Sequence, residues 1–201
     1  TEILNGSFDA IWLLNNDAIA DPGCLSALVR CLDEGDRIGA VGSVLYDSKR
    51  PELDHIGSGI NTLTFRTKPL SSVAEIERTH YAWITAASAL YHVAALRDVG
   101  VFDDAFFMYW EDADLALRMK NAGYRITAST KARVAHTAGT SSDNIPVQRY
   151  LWHFRSQRHW NKKHHRWPRL ANLILPIRYM AKAMLDFDFS RAKALLRSAV
   201  K

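Results

Sequence analysis

The residues from Phe8 to Leu14 (FDAIWLL) form a short apolar run rich in β-formers that stops abruptly at the polar triplet Asn15, Asn16 and Asp17. The pattern predicts a buried strand with functional groups at its C-terminal edge. Asp21 and Pro22 supply a helix start, with Asp as N-cap and Pro at the first helical position. Leu25, Leu28, Val29 and Leu32 give the apolar face of a helix over 22–33. Ile38 to Tyr46 (IGAVGSVLY) reads as a second strand, and Asp47 to Glu77, rich in Gly, Ser, Pro and charge, as a long loop with short strands. Tyr81 to Val93 is apolar and β-prone, and Ala94 to Val99 makes a short helix closed by Gly100. Helical spacing returns from Asp112 to Ala122, where Leu115, Ala116 and Met119 share a face, Asp114 can pair with Arg118, and Gly123 ends the helix. Tyr124 to Thr130 and Arg133 to His136 are two candidate short strands. Past Ile145 the chain becomes basic and aromatic, in helices punctuated by Pro168 and Pro176.

Alternating strands and helices predict an α/β domain with a mainly parallel sheet, whose ligands sit at the C-terminal ends of strands. At 201 residues and 48% hydrophobic content the chain can bury a real core, which excludes a disordered protein. Charge divides it in two. Of 26 Lys and Arg, thirteen lie in 145–201, together with only Asp186 and Asp188 of the 21 acidic residues; the 144 residues before them are therefore net acidic. The expected organisation is an acidic α/β domain over 1–144 and a basic aromatic helical extension over 145–201, facing an anionic partner. Cys24 and Cys31 sit seven positions apart on one helix, roughly 10 Å from each other, which is beyond disulfide reach. They read as reduced core thiols of a cytoplasmic protein. The most apolar span, Leu170 to Leu185, is interrupted by Asn172, Pro176, Arg178 and Lys182, so it is not expected to cross a bilayer, and lying on one stays open.

Singly, the candidate chemical groups are ordinary. An Asp after a strand is usually a turn former, acids at a helix start are favoured by the helix dipole, and a His near a strand end is usually just hydrogen-bonded. Their co-occurrence is what carries meaning. Trp12 to Ala18 (WLLNNDA), Asp98 to Ile126 (DVGVFDDAFFMYWEDADLALRMKNAGYRI) and Val134 to Ser142 (VAHTAGTSS) together resemble the family 2 glycosyltransferases, especially bacterial rhamnosyltransferase-like members. The first is similar to a strand ending in an Asp-x-Asp-type motif, with Asn15 in the first acidic place and Asp17 in the last. The second follows the family's Val-Gly-x-Phe-Asp, Phe-Phe, Glu-Asp-x-Asp-Leu and Ala-Gly-Tyr run, and the third its His-x-x-Gly-x-Ser segment.

The resemblance implies a GT-A type, Rossmann-like α/β fold with a C-terminal helical tail, and an inverting, metal-dependent transfer of a sugar from a nucleotide-sugar donor. The expected acceptor is a glycan or a polyprenyl-linked sugar in cell-wall or polysaccharide biosynthesis. Asp17 and His136 are implied ligands of Mg2+ or Mn2+, the imidazole favouring Mn2+. Asn15, Asn16 and Asp17 are the donor-binding set; Asn15, a neutral amide, is confined to hydrogen bonds. Asp112 is the expected base and Glu111 the fallback. Trp110 is a candidate acceptor-stacking ring, with a core role equally open. Two or three further strand–helix units precede the Asn-Asn-Asp strand in the family, so the chain is expected to lack the nucleotide-binding units and to turn over poorly alone.

The tail segment Tyr150 to Trp167 interleaves aromatics with cations. It reads either as part of a peripheral membrane contact through 150–185 or as a helix packed on the domain. His153, His159, His164 and His165 lack the spacing of a metal site. A nucleic-acid-binding module is the competing reading of the basic tail and of a pI near 9.3, but it leaves the acidic body unexplained, and no nucleic-acid partner is expected. A sugar nucleotidyltransferase is the other alternative; it calls for a Gly-rich phosphate loop near the start, which the sequence does not contain.

Overall fold

The computed structural model describes residues 2–47, 50–61, 66–136 and 146–199. In order the elements are α1 (Glu2–Asn5), β1 (Ala10–Leu14), β2 (Ala18–Ala20), α2 (Cys24–Asp33), β3 (Ile38–Asp47), β4 (Arg50–His55), β5 (Gly57–Asn61) and β6 (Arg66–Leu70). Then come α3 (Val73–Arg78), β7 (Ala82–Trp83), β8 (Ser88–His92), α4 (Val93–Val99), α5 (Glu111–Asn121) and β9 (Arg125–His136). Three helices follow: α6 (Pro146–His164), α7 (Pro168–Leu185) and α8 (Phe189–Ala199). They build two compact units. The first takes residues up to 61, 66–102 and 112–136; the second takes 103–111 and the three last helices.

The first unit is organised around a sheet ordered β1-β8-β3-β9-β2, with β4 added against β3. Strand β3 is central, and its residues from Ile38 to Leu45 are all buried, because helices cover both faces. One face packs Val41 and Leu45 with Leu90 and Val134 against Cys24, Leu28 and Leu32 of α2. The other packs Ala40, Ala89, Tyr91, Ile126 and Ala128 against Leu115, Ala116 and Met119 of α5, with Ile76 of α3 and Leu70 of β6. Alternate residues of one strand thus serve two cores, as the period of two requires. A smaller sheet, β6-β5-β7, flanks this layer.

Several expectations change here. The α/β class holds, but the sheet is not mainly parallel: β3 with β9 is the one parallel pair among the described strands, and β1–β8, β3–β8, β2–β9 and β3–β4 are antiparallel. Hydrophobic runs report burial, and burial on two faces looks the same in either direction. Strand β1 lies at the end of the sheet order and is half-buried rather than buried. The helix after it starts at Cys24 and is entered through Gly23 in the left-handed region (φ 80°), with no side-chain cap. Asp21 is engaged elsewhere, accepting a hydrogen bond from the Tyr46 hydroxyl at 2.7 Å. The expected loop over 47–77 holds strands and α3, whose N-cap Ser72 accepts from Glu75 N. The two short strands after Gly123 are a single one, β9. Cys24 and Cys31 are both free.

In the second unit α6 buries Leu151 and Phe154 against Ala194 and Leu195 of α8, with Tyr179 and Met180 of α7 at the margin. Residues 103–111 join it because their aromatics do. Phe106 meets the His159 ring edge-on, Trp110 lies 5.4 Å from Trp160, and Ser156 Oγ donates to the Met108 carbonyl at 2.8 Å. Among the described residues no helix is long and apolar enough to cross a membrane.

Candidate active site

Beyond Leu14 the chain turns sharply. Asn15 N donates to the Ala87 carbonyl at 2.9 Å, and Ala18 N returns to the Asn15 carbonyl at 3.1 Å, closing a four-residue turn. The turn delivers the chain into β2, which runs antiparallel to the end of β9 with Ala18 opposite His136. Asp17 therefore stands beside His136, and its Oδ1 lies 3.3 Å from His136 Nε2. Both side chains are largely shielded, 23% and 17% exposed. The imidazole nitrogen is buried and makes no hydrogen bond in this arrangement.

A buried nitrogen facing a carboxylate oxygen in this way suits a shared cation. Two ligands at right angles around a divalent ion, each at about 2.2 Å, lie about 3.1 Å apart, close to the observed separation. Carboxylate and imidazole suit Mn2+ better than Mg2+. Among the described residues no third His, Cys, Asp or Glu joins the pair in a cluster. Asn15 and Asn16 are exposed on the same turn. The family-like segment after His136, Thr137 to Ser142, lies outside the described residues.

A network that the sequence reading missed braces this corner. Arg133 of β9 grips Asp54 with both guanidinium nitrogens, at 2.9 and 3.1 Å, and stacks on the Tyr46 ring at 4.9 Å. Tyr46 in turn holds Asp21, whose backbone N–H donates to the Arg133 carbonyl at 3.0 Å. Asp54 holds the Arg133 guanidinium above its usual pKa, and Asp21 raises the Tyr46 phenol. The ends of β2, β3 and β9 are thereby tied together behind Asp17. The only advance signal was a charged residue inside an apolar strand, Arg133 in ARVAH, and spacing does not name its partner.

Helix α5 carries the acids of the second motif. Its far end sits over the start of β3, since a Cβ at Gly39 would come within 3.1 Å of Met119 Sδ and 3.0 Å of Tyr124 Cβ. Gly123 then reverses the chain at φ 83°, and β9 begins beside Ile38. Asp112 Oδ1 accepts the Ala113 N–H at 2.8 Å. Asp114 has a different task. It is fully buried and bound to Arg118 Nε at 2.8 Å, while the same guanidinium donates to the carbonyls of Val99, Gly100 and Val101. The last acid of Glu-Asp-x-Asp is thus a structural ion pair that ties α5 to the end of α4.

In the second unit, Glu111 has a buried carboxyl oxygen without a hydrogen bond, and burial pushes its pKa up, partly offset by its own backbone N–H. The two residues before it, Tyr109 (φ 68°) and Trp110 (φ 72°), both occupy the left-handed region, a conformation that bulky residues avoid at a cost of about 1–3 kcal/mol each. Such strain concentrates at functional sites, and nothing in two consecutive aromatics announces it. Trp110 itself is buried between Trp160 and His153, so its ring serves the core. The four tail histidines also have local roles: His153 among aromatic rings, His159 against Phe106, His164 against Trp160, and His165 accepting from Trp167 N at 2.9 Å.

Comparison with known proteins bears on the family and the fold. A decaprenyl-linked N-acetylglucosamine rhamnosyltransferase of Mycobacterium tuberculosis ("N-acetylglucosaminyl-diphospho-decaprenol L-rhamnosyltransferase") is 26% identical over 200 residues, covering 88% of this chain and 65% of the relative. The O-antigen biosynthesis protein RfbC of Myxococcus xanthus is 26% identical over 167 residues, covering 77% of this chain and 13% of the relative. The chain thus spans about two thirds or less of the length of these relatives. Among solved structures, a mannosyltransferase of Pyrobaculum calidifontis in complex with GDP-Man and Mn2+ superposes with a TM-score of 0.53 at 12% identity. The match covers 100% of this chain and 64% of that one, and supports a GT-A-like fold. The sequence model of "Glycosyltransferase like family 2" matches residues 2–159, and the chain belongs to that family.

Proposed function

We propose that this chain carries the catalytic centre of an inverting glycosyltransferase that moves a sugar from a nucleotide-sugar donor to a glycan or a polyprenyl-linked acceptor. The observation that supports it most is the 3.3 Å approach of Asp17 to His136 at the C-terminal edge of the sheet. Rhamnose is the favoured sugar, by analogy with the mycobacterial relative's printed activity.

Asp17 and His136 would hold a divalent cation, Mn2+ in preference to Mg2+. When bound, that ion neutralises charge developing on the departing nucleoside diphosphate. Asn15 and Asn16, exposed amides on the same turn, hydrogen-bond hydroxyls of the donor's ribose or sugar. Asp112 takes the proton of the acceptor hydroxyl as that oxygen bonds to the anomeric carbon. The bond from the anomeric carbon to the diphosphate breaks on the opposite face, and configuration inverts without a covalent intermediate. Asp112 takes this role as the second acid of the Glu-Asp pair, whereas Glu111, whose pKa burial pushes up, is the fallback base.

The test is release of nucleoside diphosphate from a panel of nucleotide sugars by the purified protein, with and without Mn2+. The proposal expects metal-dependent release from at least one donor, abolished by chelation, and a loss of about 10²- to 10⁴-fold in Asp112→Asn. Release of pyrophosphate instead would indicate nucleotidyl transfer. Unchanged rates in Asp112→Asn with a large loss in Glu111→Gln would exchange the two roles.

A further inference from the structure

The sequence left the aromatic segment 150–167 open between an anionic partner and packing, and the large side chains of α6 are spent on packing: Leu151, Phe154 and Trp160 are all buried. The apolar surface that remains lies elsewhere. On α7 the residues Leu170, Leu173, Ile177 and Met184 are exposed, with Leu173 and Ile177 at 63% and Met184 at 70%. At 100° per residue these four fall within an arc of about 60° and extend along about 21 Å of the helix. The residues that α7 buries, Ala171, Leu175 and Ala183, occupy the other side. The stripe runs on into Leu185, Phe187 and Phe189, the last two 78% and 79% exposed, where the chain turns into α8.

Cations border this surface: Arg166 and Arg169 at one end, Arg178 at one flank, and Lys193 and Arg197 on α8. The only two acids in 145–201 are already matched, Asp186 by Lys182 at 2.9 Å and Asp188 by Arg191 at 3.7 Å. We propose that α7, its turn into α8 and the first residue of α8 form a docking face for an anionic lipid bilayer. The apolar stripe enters the headgroup boundary and the flanking Arg and Lys meet lipid phosphates.

Charge decides between a membrane and a second copy of the chain. A two-fold self-interface would set the same strongly basic surface against itself, which costs energy at every cation, whereas anionic lipid neutralises each one. Because no described helix is built to cross, the contact is interfacial. The inference extends the glycosyl-transfer reading only in bringing the chain to a surface that carries lipid-linked acceptors. Its test reads binding rather than turnover, so either can fail without the other.

The experiment is flotation of the 201-residue chain with vesicles of phosphatidylcholine alone and with about a third phosphatidylglycerol, at low and high salt. Uptake is expected only with the anionic vesicles, falling several-fold as salt screens the charges. The variant Ile177→Ser, Phe187→Asn, Phe189→Ser is expected to lose at least about tenfold in partitioning; Arg166→Glu with Arg169→Glu should lose the preference for anionic lipid. Both sets of changes are at exposed positions, and unchanged circular dichroism and melting will separate lost binding from lost folding. Equal uptake by both vesicle types, no uptake by either, or a concentration-dependent dimer abolished by the apolar variant without lipid binding, would each overturn the proposal.

Discussion

Glu111 and Asp112 are adjacent carboxyls, and the burial of Glu111 has measurable consequences. Burial raises the Glu111 pKa, so the folded chain binds this proton more tightly than the unfolded one does. The stability from this group is complete below the ordinary carboxylate range and is lost as pH rises through the raised folded value. Glu111→Gln should accordingly raise the melting temperature at neutral pH, with the gain shrinking on acidification; a variant that melts lower at pH 7 would show that Glu111 is paired there. His153 works in the other direction. Burial, helped by Arg191, lowers it from 6.5 to about 4, so its contribution is complete above 6.5 and is lost as pH falls toward 4, by no more than about 3 kcal/mol. Thermal melts of His153→Gln should be flatter over that interval than those of the parent chain.

Among the elements, α5 shows best what the sequence disclosed. Its extent to within one residue at each end, its apolar face and the Asp114–Arg118 pair were all legible, because helical spacing and a stop glycine are local signals. What the pair holds was not legible, since the three carbonyls that Arg118 binds come from a segment 17 to 19 positions earlier in the chain. Asp114→Asn should cost about 3 kcal/mol or more by removing a buried partner charge, measured by denaturant unfolding; a loss below about 1 kcal/mol would reassign the pair as incidental. Strand directions were illegible for a related reason: a buried run has no polarity until its neighbour is known. The basic aromatic helix α6 was ambiguous because rings suited to a membrane interface also suit a core, and Trp110 and Trp160 settle on the core. The left-handed turn at Tyr109 and Trp110 had no sequence signal at all.

At the scale of the molecule, an α/β unit and a helical unit share one chain. The segment 103–111 was nonetheless drawn into the helical unit by Phe106 and Trp110. The union of Asp17 with His136 joins residues 119 positions apart through β2 and β9, a pairing that family resemblance anticipated and composition alone did not. Whether that union is a metal site is the hinge of the functional account. Electron paramagnetic resonance of Mn2+ titrated into the chain with a nucleoside diphosphate present tests it directly. The account predicts a single bound ion, an affinity lowered at least about tenfold in Asp17→Ala and clearly reduced in His136→Ala, and no change in Asp112→Asn. Equal Mn2+ affinity in the parent chain and Asp17→Ala would contradict it.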